Sequence, residues 1–561
     1  MRPPFRRVLV ANRGEIAVRV IRACHEVGAE AVAVFSDADA DAPHVRVADA
    51  AVRIGPPPAE SSYLSIEAVM AAARQVGAEA IHPGYGFLSE RAAFARACDG
   101  AGIVFVGPSA ETLAGLGDKL AARRAARSAG VPVVPGTLEP APVGDLAAAA
   151  SVLTEAARVG WPLMVKAAAG GGGRGMRRVD RADDLPGSLL AASQEARAAF
   201  GDGAVYLERY VHGARHVEVQ LLGDAAGRVV ALGERDCSVQ RRHQKLVEEA
   251  PAPGLTAARR RELHEMAVAV ARAFALRNAA TAEFLLAPDG SFWFLEVNTR
   301  LQVEHGVTEL VSDLDIVQEQ LWIAAGEPLS RRVLAAARAA ATPRRHAIEV
   351  RISAEDPGRG FAPASGSIGR WRAPGGPGVR VDAGVDEGSV VGTDYDPLLA
   401  KLMVVASDRR AALARLRRAL DEFDVTGIQT TLPFHRWIAA DPAFAAARLS
   451  TSFVPDNWHP EALKAAAADR AARLVAAFAG PHGRLDTGGV AMGGSAMGGF
   501  DTGGVDTGGA GPRKGADPPA TADRRLAAAD PPRAPERTSA SAATDPWLAT
   551  ARREAVDRWP G

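Results

Sequence analysis

Short apolar runs alternate with amphipathic stretches through the N-terminal part of the chain. Residues 8–11, 31–35 and 103–106 have the length and apolar content of buried strands. Residues 15–27, 65–76 and 90–98 carry their apolar side chains at helical spacing. Strands alternating with helices predict an open, doubly wound parallel sheet. No GxGxxG follows the first strand, which excludes a dinucleotide fingerprint. The segment HPGYGFLSE (82–90) reads as a loop that leaves a strand and opens a helix.

The pattern changes near Gly117. Residues 118–130 read as a helix, with Gly130 at its end and Pro132 just beyond. Residues 162–166 read as a strand, followed by the glycine run 170–175. Hairpins are expected at 204–236 and 280–298, and helices at 256–276 and 313–326. Residues 346–440 mix strands with a helix near 408–422. The expectation is a lid-like subdomain over 131–209 inside a larger α+β body.

After residue 480 the periodicity collapses into low complexity, with DTGG at 486, 501 and 506. Such sequence cannot bury enough apolar surface to offset its ordering entropy, so a disordered tail is expected. Leu548, Ala551, Ala555 and Trp559 fall on one helical stripe at the end. They fit either a frayed tail or a short docking helix.

Composition narrows the function. The 561 residues suit two to four domains, and 47% apolar residues supply a sizeable core. Lys+Arg and Asp+Glu both number 66, so the basic face of a nucleic-acid binder is not expected. Three cysteines without a CxxC pair exclude a disulfide framework and a zinc knuckle. No signal peptide or membrane-length apolar run is present, and the expected location is the cytoplasm. Only six of the 66 basic residues are lysines, at 119, 166, 245, 401, 464 and 514.

Four segments carry chemistry. In VKAAAGGGGRGM (165–176) the glycines, Gly172 and Gly173 among them, let backbone N–H groups approach phosphate, and Lys166 ends the preceding strand. A flexible linker has the same composition. In AEFLLAPDGSFWFLEVNTRLQVEH (282–305) a two-residue Asp289-Gly290 turn makes paired positions sum to 579, which sets Glu283 against Glu296, with Asn298 on the same face. Opposed carboxylates repel, and a hard divalent cation, Mg²⁺ or Mn²⁺, would reverse that cost. Beyond them, Arg300 and Glu304 suit an anion site with a base beside it, alongside Gln302 and His305. The fourth segment, 234–251, reads as one basic loop holding Arg235, Gln240, Arg241, Arg242, His243 and Lys245, suited to phosphate or bicarbonate. His216 alone fits a core histidine better than a ligand.

Together with ANRGEIAVRVIRAC, FVGPSAETLAGLGDK and HAIEVRISAEDP, these motifs occur in an order that resembles biotin carboxylase, of the ATP-grasp superfamily, over about residues 5–455. The resemblance implies an N-terminal biotin carboxylase domain at 1–116, an ATP-grasp domain at 117–330, a C-terminal α+β domain at 331–460 and a helical linker with a tail at 461–561. It implies MgATP as cofactor, with Lys119 and Lys166 on the nucleotide phosphates and Glu208, Arg209, Tyr210 and Val211 along the adenine. His216, Gln240 and His243 would lie around ribose and phosphates. Glu283, Glu296 and Asn298 would hold the metal. Lys245, Arg300, Gln302 and Val303 would bind bicarbonate. Glu304 would be the base and Arg351 would stabilise the biotin enolate. The expected partners are a separate biotin carboxyl carrier protein, a carboxyltransferase subunit of an acyl-CoA carboxylase and a second copy of the chain. Ala169 stands where the family usually has glycine, Gly306 stands where it has proline, and no AMKM biotinylation sequence occurs. A silent scaffold subunit and a carbamoyl-phosphate-type ATP-grasp ligase are the alternatives.

Overall fold

The computed structural model describes residues 2–143, 146–169 and 175–461, with three isolated positions up to residue 472. Residues 170–174 of the glycine run, including Gly172 and Gly173, and the C-terminal stripe lie outside the described residues.

Five parallel strands open the chain: β1 (Arg7–Val10), β2 (Glu30–Ser36), β3 (Ala50–Gly55), β4 (Ala80–His82) and β5 (Val104–Phe105). Their order is β3-β2-β1-β4-β5, and helices such as α1 (Gly14–Glu26) make the crossovers. Val8, Leu9 and Val10 have no exposed surface, as expected for a sheet covered on both faces. The loop after β4 carries HPGYGFLSE, at the carboxyl ends of the strands where such sheets bind ligands.

Helix α2 (Lys119–Ser128) starts at Asp118, whose Oδ1 accepts from the amides of Leu120 and Ala121 at 2.9 and 3.1 Å. Gly130, at φ +76°, follows its end as the pattern predicts. A small antiparallel sheet follows, in the order β7-β6-β8: β6 (Leu163–Ala167), β7 (Arg177–Val179) and β8 (Val205–Arg209).

The site rests on an eight-stranded antiparallel sheet. Its strands are β9 (Arg215–Gly223), β10 (Val229–Arg241), β11 (Gln244–Ala250), β12 (Asn278–Leu286), β13 (Phe292–Asn298), β14 (His346–Ser353), β15 (Val379–Ala383) and β16 (Leu398–Ala406). The order is β13-β12-β9-β10-β11-β14-β16-β15, so strands from both sides of residue 330 share one sheet. Helix α3 (Ala257–Ala273) packs against β10 and β9, and α4 (His305–Ser312) packs against β10, β14 and β16. Among the described residues no helix is long and apolar enough to cross a membrane.

The β12–β13 register corrects one step of the sequence reading. Glu283 does oppose Glu296, but the turn is wider than two residues. Ala287 and Ser291 close a three-residue loop, and Phe284 pairs with Phe294. An extra residue, Leu295, then bulges out and restores the pairing of Glu283 with Glu296.

Candidate active site

Register sets the charged groups in a row. Glu296 faces Glu283 across β13–β12, Glu283 faces Glu218 across β12–β9, and Glu218 faces Arg235 across β9–β10. Directly opposed residues project from the same face of a sheet. Arg235 is fully buried and engages all three of its nitrogens: Nε to Glu218 at 2.6 Å, Nη1 to Gln220 and Thr308 at 2.9 Å each, and Nη2 to Thr281 at 3.2 Å. Lys245 on β11 reaches over the row. Its Nζ lies 3.0 Å from Glu283 Oε1 and 2.7 Å from Glu304 Oε1, and it also bonds Glu218.

The basic loop expected at 234–251 is instead the β10–β11 hairpin, turning at Arg242 and His243 with φ of +48° and +67°. Position along the hairpin separates its cations, with register irregularities between Asp236 and Gln240. Arg235 points inward to Glu218, Arg241 donates to the Gly360 carbonyl and lies over the Phe361 ring, and Arg242 is exposed. Gln240 is buried and pairs in register with Lys245. His243 is exposed at the turn, and partial burial together with the charges of Lys166 and His216 pushes its imidazole down.

Oxygen donors gather at the end of the row. Asn298 Nδ2 lies 2.9 Å from Glu283 Oε1, Lys119 Nζ lies 2.7 Å from Glu296 Oε2, and His216 Nε2 lies 3.1 Å from Glu283 Oε2. Burial alone would raise the pKa of Glu283, but Lys245 and His216 outweigh it and hold the carboxyl below its usual range. Opposed carboxylates with an amide oxygen within reach are the donor set of a hard divalent cation, so these residues fit Mg²⁺. Lys166 and Arg123 flank the buried Glu208, with Lys166 Nζ at 2.6 Å. Arg209 turns its side chain to the Val159 carbonyl at 2.8 Å, and Tyr210 and Val211 continue the chain from the end of β8.

Glu304 is the N-cap residue of α4 and is completely buried. Its second oxygen lies 3.0 Å from Arg351 Nη2. Burial opposes its ionisation, yet Lys245, Arg351 and Arg235 prevail and hold it well below the usual range. Arg300 Nε lies 3.1 Å from Glu90 Oε2, and its Nη1 lies 3.1 Å from Gln302 Oε1. Gln302 Nε2 is buried with no partner, a donor suited to an anion. The Val303 carbonyl accepts from Lys401 at 2.8 Å. Glu304, Lys245, Arg351, Glu283, Glu296, Asn298, His216 and Lys119 thus form one linked charge network, with Arg300 and Gln302 following directly on β13.

Glu90, Arg123, Glu218 and Glu248 escaped the sequence reading as site residues. The available signal was the alternation HVEVQ: both faces of β9 are covered, so its polar residues must find buried partners.

Known proteins share the fold and the domain order of this chain. The biotin carboxylase N-terminal domain matches residues 4–113 and the biotin carboxylase C-terminal domain matches 349–456. Between them, the carbamoyl-phosphate synthase L chain ATP binding domain matches 118–332. The biotin carboxylase of Nostoc sp. is 47% identical over 456 residues, which cover 81% of this chain and 99% of that one. The biotin-dependent acyl-coenzyme A carboxylase alpha3 subunit of Mycobacterium leprae is 47% identical over 81% of this chain and 75% of its own. The crystal structure of the biotin carboxylase domain dimer of Hydrogenobacter thermophilus 2-oxoglutarate carboxylase, in complex with MgADP, ADP and bicarbonate, superposes with a TM-score of 0.77 at 43% identity, covering 81% of this chain and 98% of that one. The chain belongs to the biotin carboxylase family, ATP-dependent ligases that carboxylate biotin.

Proposed function

We propose that the chain uses MgATP and bicarbonate to carboxylate biotin on a separate carrier protein, as one subunit of an acyl-CoA carboxylase. The observation that carries the residue assignment is Glu304, a buried carboxylate between Lys245 at 2.7 Å and Arg351 at 3.0 Å, linked through Lys245 to Glu283. Glu283, Glu296 and Asn298 hold the metal ion, which when bound neutralises phosphate charge. Lys119, Lys166, Gln240, His243 and His216 surround the nucleotide, and the end of β8 borders its base.

Arg300, Lys245, Gln302 and Val303 orient bicarbonate in this reading. An anion beside Lys245 draws that cation away from Glu304 and raises the basicity of its carboxylate. Glu304 takes the bicarbonate proton as a bicarbonate oxygen attacks the γ-phosphorus and ADP leaves. The carboxyphosphate so formed divides into CO₂ and phosphate. Phosphate takes the N1′ proton of biotin, and the resulting nitrogen anion, its oxygen facing Arg351, attacks CO₂. Closure of the lid over 131–209 excludes water from the mixed anhydride.

The domain division at 1–116, 117–330, 331–460 and 461–561 belongs to the same reading, as do a cytoplasmic location, a homodimer and a carboxyltransferase partner. The relative named as a subunit and the neighbour described as a dimer support assembly.

Glu304→Gln tests the base. It is expected to lower biotin carboxylation by about 100-fold or more while MgATP binding persists. Unchanged steady-state turnover would refute the role.

A further inference from the structure

Two buried acids stand behind Arg351 with no part in the steps above. Glu248 on β11 and Glu349 on β14 are paired directly in the antiparallel ladder, and both have no exposed surface. Opposed positions put their Cβ atoms about 5 Å apart on the same side of the sheet. Glu248 Oε1 accepts from Arg351 Nε at 2.6 Å. Its Oε2 and both oxygens of Glu349 have no donor. Two ionised carboxylates in this position repel each other at low dielectric, and each buried acceptor without a donor carries a desolvation cost. One proton between them removes the repulsion and engages two of the three donorless oxygens, leaving only a neutral carbonyl oxygen.

Among the described residues no other donor fills that role. The charged groups that bear on Glu349 are Lys401 on β16, Glu248 on β11, Arg351 on its own strand and Glu304 at the start of α4. Lys401 lies 3.2 Å from Glu15 Oε2 and donates to the Val303 carbonyl. Arg351 is engaged with Glu248 and Glu304. Burial pushes Glu349 well above the usual carboxylate range, with Lys401 offsetting only part of it, and burial also raises Glu248. Glu248 already accepts from a guanidinium, so the proton resides on Glu349.

We propose that Glu349 is a positioning residue: its carboxylic acid donates to the free oxygen of Glu248 and so anchors Arg351 through Glu248. The anchor matters when Glu304 takes up a proton. Its hold on Arg351 then weakens, while Glu248 keeps one negative charge and a fixed geometry. This inference rests on the reading of Arg351 as the group facing biotin.

The test begins with infrared spectra of the full chain. Wild type is expected to show the carbonyl stretch of a protonated carboxylic acid at neutral pH, and Glu349→Gln is expected to lose it. Absence of the band in wild type, or its persistence in the variant, overturns the shared proton. Steady-state rates follow. Glu349→Ala is expected to lose about 10- to 100-fold in biotin-dependent turnover, as a small misplacement of a reacting group does, with a smaller loss in bicarbonate-dependent ATP cleavage. Glu349→Gln, which can still donate to Glu248, recovers most of that loss. Equal losses in both reactions, or equal losses in the Ala and Gln variants, overturn the role.

The pH profile separates positioning from scaffolding. Wild type loses rate on the alkaline side as Glu349 ionises and repels Glu248, and Glu349→Gln lacks that component. An alkaline limb that stays in place in the Gln variant counts against the proposal. A wild-type chain without biotin-dependent turnover overturns the assignment of Arg351 itself, and the infrared band then still decides whether the pair shares a proton.

Discussion

Gly306 follows the proposed base, Glu304, by two positions and lies in the first turn of α4. A Cβ added there would lie 2.2 Å from Met403 Sδ and 3.5 Å from Glu349 Oε2. Met403 is fully buried on β16 and fills the space that a proline ring would claim. The departure from the family's proline thus has a local counterpart, which the sequence at 306 alone cannot reveal. A glycine-to-alanine change in an open helix position stabilises by about 1 kcal/mol. Here the sign reverses: Gly306→Ala is expected to destabilise by about 1–3 kcal/mol, read from the denaturant midpoint. Combined with Met403→Ala, the loss is expected to fall short of the sum of the two single changes. A Gly306→Ala variant as stable as wild type would show that Met403 yields freely.

At the scale of the element, the hairpins show what sequence makes legible. Apolar periodicity placed the β12–β13 hairpin, α2 and α3 within a few residues, because each buries a continuous apolar face, whereas β11 was missed and β14 was not resolved from its neighbours. The pairing of Glu283 with Glu296 was also legible, but only because the wider turn and the Leu295 bulge cancel each other. Neither leaves a mark in local composition. The 234–251 segment failed as a basic loop because a run of cations says nothing about which side of a ladder each occupies. Arg235 belongs to the interior because Glu218 waits across the strand, a contact set by register. Its guanidinium bonds side chains on β9, β12 and α4. Arg235→Met is therefore expected to cost about 3–5 kcal/mol, the cost of leaving one partner of a buried ion pair behind. Calorimetric or denaturant unfolding reads it. A loss below about 1 kcal/mol would mean that Lys245 alone satisfies Glu218.

Across the whole molecule, one antiparallel sheet carries the residues proposed as metal donors and the arginine proposed to face biotin. The doubly wound N-terminal sheet was predictable from its alternation of strands and helices. That β14 from the C-terminal segment would lie beside β11 was not, since a long separation in sequence hides such a pairing. This pairing brings Arg351 within 3.0 Å of Glu304 and sets Glu349 opposite Glu248. Family motifs supplied by resemblance what periodicity lacked, naming Arg351 and Glu304 as neighbours in function before their contact was visible. The site is proposed to activate bicarbonate with ATP and to pass the carboxyl group to biotin. The most direct measurement is ATP hydrolysis by the purified chain with ¹⁴C-bicarbonate, with and without free biotin. The account predicts bicarbonate-dependent turnover that biotin stimulates, with labelled carboxybiotin as product. ATP binding with turnover indifferent to both bicarbonate and biotin would contradict it.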